Sequence, residues 1–404
     1  MAFPIIATRN AGLKRLQTFV PNSGSYYTKN RNIDHGDKNR TNISLLSGHL
    51  RHRLILESEV LDAVLGRYAP STAEKFIQEI FWRSYFKGWL EQHPTVWATY
   101  RSDVLKLYSE LKVNNDLAKC YHQAVNGKTG IACFDSWVQE LVNNGYLHNH
   151  ARMWFASIWI FTLKLPWQLG ADFFYYYLID GDPASNTLSW RWVGGLHTQN
   201  KIYLARPSNI EKYTNGRFAP YGQLVSNAYP LEEEKSHLKR ALPVITKEIQ
   251  TESVGLVITE EDGYVEDLFK DFAVTAGIAL LSTKKCSQRL ISILPQVFIK
   301  DMLADSISRA ANHFQCTFSG PYEFEDWGPA LVDFAKTHNI KTLVTAYAPV
   351  GPASEKLIDA RSYLAEYGIM LYEKQRRYDK LCWPHATRGF FSLKKKIPDI
   401  IEKL

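Results

Sequence analysis

Apolar residues recur at three- and four-residue spacing through the first half of the chain. In the second half they come in short blocks between helical patterns. Segment 72–92 (TAEKFIQEIFWRSYFKGWLEQ) has the helical spacing, with Thr72 placed to cap it. Segment 134–147 reads as a helix ending near Gly145, and 149–164 is apolar almost all round, which predicts a buried helix. Beyond a charged stretch at 231–240 the pattern changes. Val254–Ile258, Ile278–Ser282, Lys341–Thr345 and Ile369–Tyr372 read as short strands, alternating with helical patterns at 264–273, 328–338 and 353–366. That alternation predicts a mainly parallel sheet covered by helices. The expected fold is multidomain, α and α/β. An N-terminal extension (1–25) leads into an all-helical domain (26–229), then a linker (230–250) and a mainly parallel α/β domain (251–404). No GxGxxG or GxxxxGK[ST] follows a strand, so neither a dinucleotide fingerprint nor a P-loop is present.

Composition narrows the picture. Of the 404 residues, 45% are hydrophobic and 22% charged, enough apolar material for real cores and against disorder. The longest strongly apolar stretch, Met153–Leu163, is too short for a bilayer, which needs about 20 residues. The start, MAFPIIATRNAGLKR, has neither an unbroken apolar segment nor a small-residue cleavage site. Five scattered cysteines (Cys120, Cys133, Cys286, Cys316, Cys382) form no CxxC and suggest reduced thiols. A cytoplasmic, monomeric protein without a membrane association is expected, with no metal site. Charge is uneven: residues 1–56 hold nine basic side chains against Asp34 and Asp37, which accounts for the whole net charge of +7. The block suits a phosphate-facing surface or a solvated basic face.

Three clusters carry candidate chemistry. Glu79, Trp82 and Arg83 stand at i, i+3 and i+4, so an acid, an aromatic plane and a guanidinium share a helical face. They suit a flat polar ligand, or an exposed ion pair beside a core tryptophan. Asn149, Arg152 and Met153 share a face in the same way, and an Arg in so apolar a helix needs a partner. His148 and His150 lack further ligand partners and are discounted for metal. The third cluster runs from Asp180-Gly-Asp182 through Asn186 to Trp190 and Trp192. Its two acids, an Asn and two tryptophans within thirteen residues make a poor core pattern, with Arg152 the nearest partner by character.

Together these clusters resemble the flavin-binding helical domain of the photolyase/cryptochrome family. The resemblance runs from about Tyr26 to Arg206. It is carried by Thr129-Gly130, Asp135, Gly145-Tyr-Leu-His-Asn149, Arg152-Met153, Ala156-Ser157, Trp167, Asp180-Gly-Asp182, Asn186, Trp190 and Trp192.

The resemblance implies FAD as cofactor. Tyr27, Ser44 and Ser47 fall at cofactor-binding positions, although Ile43 and Gly48 replace the family's Thr and Pro in that phosphate-holding segment. Arg152 and Asp180 match the ion pair beside the isoalloxazine, Asp182 the second acid, and Asn186 the residue facing flavin N5. Glu79, Trp82, Arg83, Asn149, Met153 and Trp192 match positions that hold a flipped cyclobutane pyrimidine dimer. Enzymes for (6-4) products place His at the positions of Asn149 and Met153. The implied partner is therefore UV-damaged DNA, and the implied activity is light-dependent splitting of the dimer by an electron from reduced FAD. Catalytic roles fall to Glu79, Asn186, Trp190 and Trp167, the last two as proximal and middle members of a photoreducing tryptophan chain. The alternative is a cryptochrome-like photoreceptor that keeps FAD without repair.

Two departures stand out. The distal tryptophan is missing: its position falls near Asn114, leaving Tyr108 or Tyr121 as substitutes. Members of the family carry an α/β antenna domain before the flavin domain, whereas here an α/β region follows it. Tyr363–Ile369 and Gly389–Lys396 resemble the end of an antenna domain. A circularly permuted order is expected, with a second antenna chromophore left open.

Overall fold

In a computed structural model, residues 5–37, 39–198, 201–233, 236–243, 253–282 and 292–404 are described. Lys38, Cys286 and part of the expected linker lie outside them. The first half is helical: α1 (Arg9–Phe19), α2 (Ser25–Asn30), α3 (Ser47–Arg51), α4 (Glu57–Leu65), α5 (Glu74–Gln92) and α6 (Thr95–Glu110). There follow α7 (Asn115–Val125), α8 (Ala132–Asn144), α9 (Asn149–Ser157), α10 (Trp167–Tyr177), α11 (Pro183–Val193) and α12 (Pro207–Tyr213). Helix α5 begins one residue later than the Thr72 cap implied, with Ala73 at the cap position and Glu74 in the first turn. Helix α9 runs on into a π turn, Ile158–Thr162, whose first four residues are buried as the all-round apolar pattern requires.

The second half alternates strands and helices: β1 (Val254–Thr259), α13 (Val265–Leu268), β2 (Val274–Leu280), α14 (Ile293–Phe314), β3 (Thr317–Tyr322) and α15 (Trp327–Thr337). It continues with β4 (Thr342–Ala346), α16 (Pro352–Glu366), β5 (Met370–Lys374), α17 (Arg377–Cys382), α18 (Phe390–Lys394) and α19 (Ile397–Glu402). All strand pairs are parallel, in the order β3-β2-β1-β4-β5. Strand β3 escapes the sequence pattern because Gly320-Pro321 interrupts it, and an edge strand tolerates proline.

Successive side chains of β1 face opposite layers. Val257 joins Ile278, Leu343, Leu331 and Leu357 beneath α15 and α16. Leu256 and Ile258 join Phe298 and Met302 of α14, and that layer is continuous with the core of the helical half. The helical half therefore covers the sheet face that α14 leaves, and the segment after β5 returns to it. Gln92 at the end of α5 donates to the carbonyls of Trp383 (3.3 Å) and Ala386 (2.9 Å), and α18 also packs on α5.

In a doubly wound sheet of this order, the crevice beyond the carboxyl ends of β1 and β4 is where ligands settle. Here ion pairs fill it. Arg51 forms a bidentate pair with Glu261 (2.7 Å twice), Arg376 reaches Asp262 at 2.6 Å, and Arg53 bridges Asp379 at 2.7 Å and Asp262 at 3.7 Å. Glu91 of α5 accepts from Tyr347 Oη (2.7 Å) and the Val350 amide (2.6 Å) just past β4. The cavity between Arg51, His52, Glu260, Glu261 and Pro352 measures about 30 Å³, room for a water and no more.

This corrects the reading of the basic N-terminal block. Six of its nine basic residues face protein partners: Arg9 to Glu59, Arg15 to the Ser44 carbonyl, Arg31 to Glu79, Arg40 to Glu140, Arg51 to Glu261 and Arg53 to Asp379. Most of the excess is therefore neither a solvated face nor a phosphate-binding surface, while Lys14 and Lys29 are exposed. It largely neutralises acids that lie elsewhere in the chain.

Candidate functional site

Two adjoining cavities of about 410 Å³ each open between α3, α5, α9 and α11. They share Tyr27, Ser44, Ser47, Glu79, Tyr146, Asn149 and Met153. Local chemistry places each wall. Asp182 caps α11, its Oδ1 accepting from the Ser185 amide at 2.6 Å, and Pro183 supplies the preset first turn. Gly145 ends α8 with φ +62°, and its carbonyl accepts from Ile179 N at 2.9 Å. A Cβ there would also lie 2.8 Å from Ile179. That glycine brings the Tyr146–Arg152 stretch against the Asp180 loop.

Arg152 Nη2 lies 3.0 Å from Asp180 Oδ2, and its Nε donates to the Leu147 carbonyl at 2.8 Å. Burial alone would raise Asp180, but the charges of Arg152 and Arg83 outweigh it and hold the carboxyl below the ordinary range. Burial would raise Asp182 too. Lys87 (3.7 Å), Arg51 (3.5 Å) and Arg83 (3.8 Å) surround its Oδ2 and keep it strongly acidic. For Glu79 the balance is the other way: burial raises its pKa despite the pair with Arg31.

The cavity against α11 brings together Glu79, Trp82, Arg83, Asn149, Arg152, Met153, Asp180, Asp182, Asn186, Trp190 and Trp192, every one proposed from sequence. Asn186 is turned by a hydrogen bond from its Nδ2 to the Ala171 carbonyl (2.8 Å). Trp192 is backed by Tyr203, ring centroids 5.8 Å apart. Trp82 is stacked on Phe390 at 3.8 Å and 10°, and also lines the cavity. Trp167 stands apart from both walls, stacked on Tyr100 at 5.6 Å. Asn114, where a distal tryptophan is expected, is the exposed cap of α7, accepting from Leu117 N at 3.0 Å.

Sequence reasoning did not find Arg51 and Lys87 beneath Asp182, Arg31 beside Glu79, or Phe390 behind Trp82. None had a local signal, since each meets a partner distant in the chain. His148 is the cap of α9 and His150 stacks on Trp154 at 4.0 Å, which accounts for both.

The donor set suits a large, polar, planar cofactor. Buried polar atoms along the cavity make no hydrogen bond to protein: Asp180 Oδ1, Ser185 Oγ and Trp190 Nε1, and also Asp182 Oδ2 and Arg83 Nη1, which have only the longer ion-pair contacts. Unsatisfied buried groups are rare in native proteins, and a polar ligand bound in the cavity would satisfy these. Residues 76–238 match the family described as the FAD binding domain of DNA photolyase. Over that stretch the chain is similar to the photolyase/cryptochrome family. Its cofactor, as for that family's domain, is FAD.

Among relatives of this family, the chain is 29% identical over 192 residues to a deoxyribodipyrimidine photo-lyase of Alkalihalophilus pseudofirmus, covering 47% of this chain and 38% of that one. It is 31% identical over 159 residues to that of Streptomyces griseus, covering 39% and 33%. A crystal structure of a class III photolyase from Agrobacterium tumefaciens shares 26% identity, with TM-score 0.44, covering 52% of this chain and 43% of that one. The chain spans about a third to a half of the length of the curated photo-lyases it matches. Among the described residues no helix is long and apolar enough to cross a membrane.

Proposed function

We propose that this protein is a photolyase-type, light-dependent DNA repair flavoprotein that splits cyclobutane pyrimidine dimers. One observation carries the reading: a single cavity wall presents both the acid, Arg and Asn set suited to FAD and the Glu79, Trp82, Asn149, Met153 and Trp192 set suited to an extruded lesion. FAD, when bound, supplies light-driven one-electron transfer. Arg152, Asp180, Asp182 and Asn186 hold and polarise it, with Tyr27, Ser44 and Ser47 toward its phosphates. The Arg152–Asp180 pair fixes a cation at the cavity, and Asn186, held by Ala171, presents a neutral side chain there. Trp82 and Trp192 give flat apolar planes for unstacked bases, Glu79 and Asn149 polar contacts to base edges, and Met153 fills the gap between them. Arg83 lies close to Asp182, so its charge is offset before any phosphate approaches.

Expected for Trp192→Ala is a loss of about 1–3 kcal/mol in binding an oligonucleotide with one thymine dimer, the worth of a base–aromatic stack, with little change toward undamaged DNA. Fluorescence anisotropy titrations decide it. The function itself is tested by reducing the purified protein and illuminating it with blue light in the presence of that oligonucleotide. Restored thymines support repair. A yellow protein that leaves the dimers intact supports the second reading, a flavin photoreceptor without repair. Two observations favour that reading: Phe390 covers one face of Trp82, and an exposed Asn114 replaces the distal tryptophan. A colourless protein refutes both.

A further inference from the structure

Among the described residues, the buried carboxylate Asp172 and the aromatic cluster around it have no place in the cavity walls. Asp172 lies on α10 with 2% exposure, and its Oδ2 accepts a hydrogen bond from Tyr108 Oη at 2.7 Å. Tyr108 Oη is 3.4 Å from Tyr121 Oη, and the two rings meet edge to face at 6.4 Å. Tyr121 is in edge contact with Trp159 at 6.1 Å, and Trp159 with Trp190 at 6.2 Å. Trp190 borders the cavity against α11, whereas Tyr108, on α6, is half-buried.

The contact between the two tryptophans is built into the backbone. A Cβ at Gly170 would lie 2.4 Å from Trp190 and 2.9 Å from Trp159, so only glycine leaves room for both rings. The π turn at Ile158–Thr162 holds Trp159, whose Nε1 donates to the Pro166 carbonyl at 2.9 Å. Such turns are rare and gather at functional sites.

We propose that Trp190, Trp159, Tyr121 and Tyr108 form an electron route from the protein surface to the FAD cavity, with Tyr108 as terminal donor and Asp172 as its proton acceptor. The proposal rests on the FAD reading and supplies what the missing distal tryptophan leaves open. Bound FAD would supply the light-driven one-electron oxidant; Trp190 would give up one electron to it, and the vacancy would pass outward through Trp159 and Tyr121. Tyr108 fills it with one electron and gives its phenolic proton to the Asp172 carboxylate, becoming a neutral tyrosyl radical. A small thiolate in solution then gives that radical one electron, Asp172 returns the proton to the Tyr108 oxygen, and two of the resulting thiyl radicals combine to a disulfide. An oxidised phenol is a strong acid, so the vacancy settles where a carboxylate already accepts the O–H bond.

The competing branch is built differently. Trp167 stacks on Tyr100 at 5.6 Å, and Tyr100 meets Trp97 at 5.5 Å with tilted rings. Tyr100 Oη is buried and makes no hydrogen bond, so no acceptor holds its proton, although Asp172 lies near enough for its charge to be felt. Trp97 is only 3% exposed, and the acid its Nε1 meets, Glu355 at 3.0 Å, is already paired with Arg101.

The test uses the purified FAD-containing protein, anaerobic, with dithiothreitol under blue light, following the bleaching of the visible flavin band. Tyr108→Phe and Asp172→Asn each slow it by on the order of 10²-fold, the usual weight of a positioned proton acceptor, while Tyr100→Phe keeps the wild-type rate. Samples freeze-trapped during illumination give a radical signal by electron paramagnetic resonance. The signal narrows on ring-deuterated tyrosine and is absent from Tyr108→Phe. A wild-type rate in Tyr108→Phe, a slowed rate in Tyr100→Phe, or a tyrosyl signal surviving in Tyr108→Phe overturns the route. A purified protein with no flavin overturns the function proposed above and the route with it, whereas a flavin-bearing protein failing these tests overturns the route alone.

Discussion

Asp182→Ala is expected to cost about 3–5 kcal/mol of folding stability, the usual consequence of removing one partner from a buried charge cluster. The carboxylate is 1% exposed, with Arg51, Lys87 and Arg83 within 3.5–3.8 Å of its Oδ2. Arg51 keeps Glu261, but Lys87 is left with only a 3.9 Å contact to Glu261. Burial already pulls the Lys87 pKa down despite both acids, so without Asp182 it is expected to lose its proton, which softens the penalty. The same change removes the α11 cap, worth about 1 kcal/mol. Asp182→Asn keeps a capping oxygen and should lose correspondingly less. Urea melts of the two variants, with flavin content measured after purification, separate the cap from the charge. Adding Lys87→Met to Asp182→Ala should recover part of the loss, a coupling that distant sites would not give. A melt of Asp182→Ala within 1 kcal/mol of wild type, about the weight of the cap alone, would mean that these cations reach water.

Glu91→Gln is expected to be stabilising at pH 8 and nearly neutral at pH 5. Burial raises the Glu91 carboxyl to about 7, against the hydrogen bonds from Tyr347 and the Val350 amide, from 4.5 in the unfolded chain. The folded state therefore binds the proton more tightly. Its contribution is complete below pH 4.5 and is lost as pH rises through about 7. The integrated difference is on the order of 2–3 kcal/mol. Gln keeps an acceptor for the Val350 amide and offers Tyr347 Oη a donor without ever charging. Wild-type urea midpoints should fall between pH 5 and 8, and the Glu91→Gln midpoint should fall less. Parallel curves for the two proteins would show that Glu91 is not the titrating group. Glu140 and Glu260, also raised to about 7, supply the remaining slope.

Much of the site is legible in the sequence because it is locally encoded. Asp182-Pro183 announces a helix cap, Gly145 a left-handed helix end, and Arg152 in an apolar helix demands an acid, which Asp180 supplies. The strands β1, β2, β4 and β5 are short apolar runs that need no context. What stays hidden is long-range. Arg51 and Arg53 look like part of a surface block, since Glu261 and Asp379 lie 210 and 326 residues away in sequence. Helix α14 has its apolar face split between the sheet and the helical half, which blurs its period. Phe390 carries no mark that it will lie on Trp82.

The stack of Phe390 on Trp82, and the grip of Gln92 on Trp383 and Ala386, also set a timetable for the protein's synthesis. Roughly 300 residues separate α5 from α18, so at bacterial or eukaryotic elongation rates of about 5–20 residues per second the two meet some 15–60 s apart. Through that interval the helical half stands on the ribosome with one flank of α5, including the ring of Trp82, uncovered. The cavity is thus finished by a segment translated long after its other walls. Chaperone dependence during expression should follow the arrival of residues 376–400 rather than the completion of the helices.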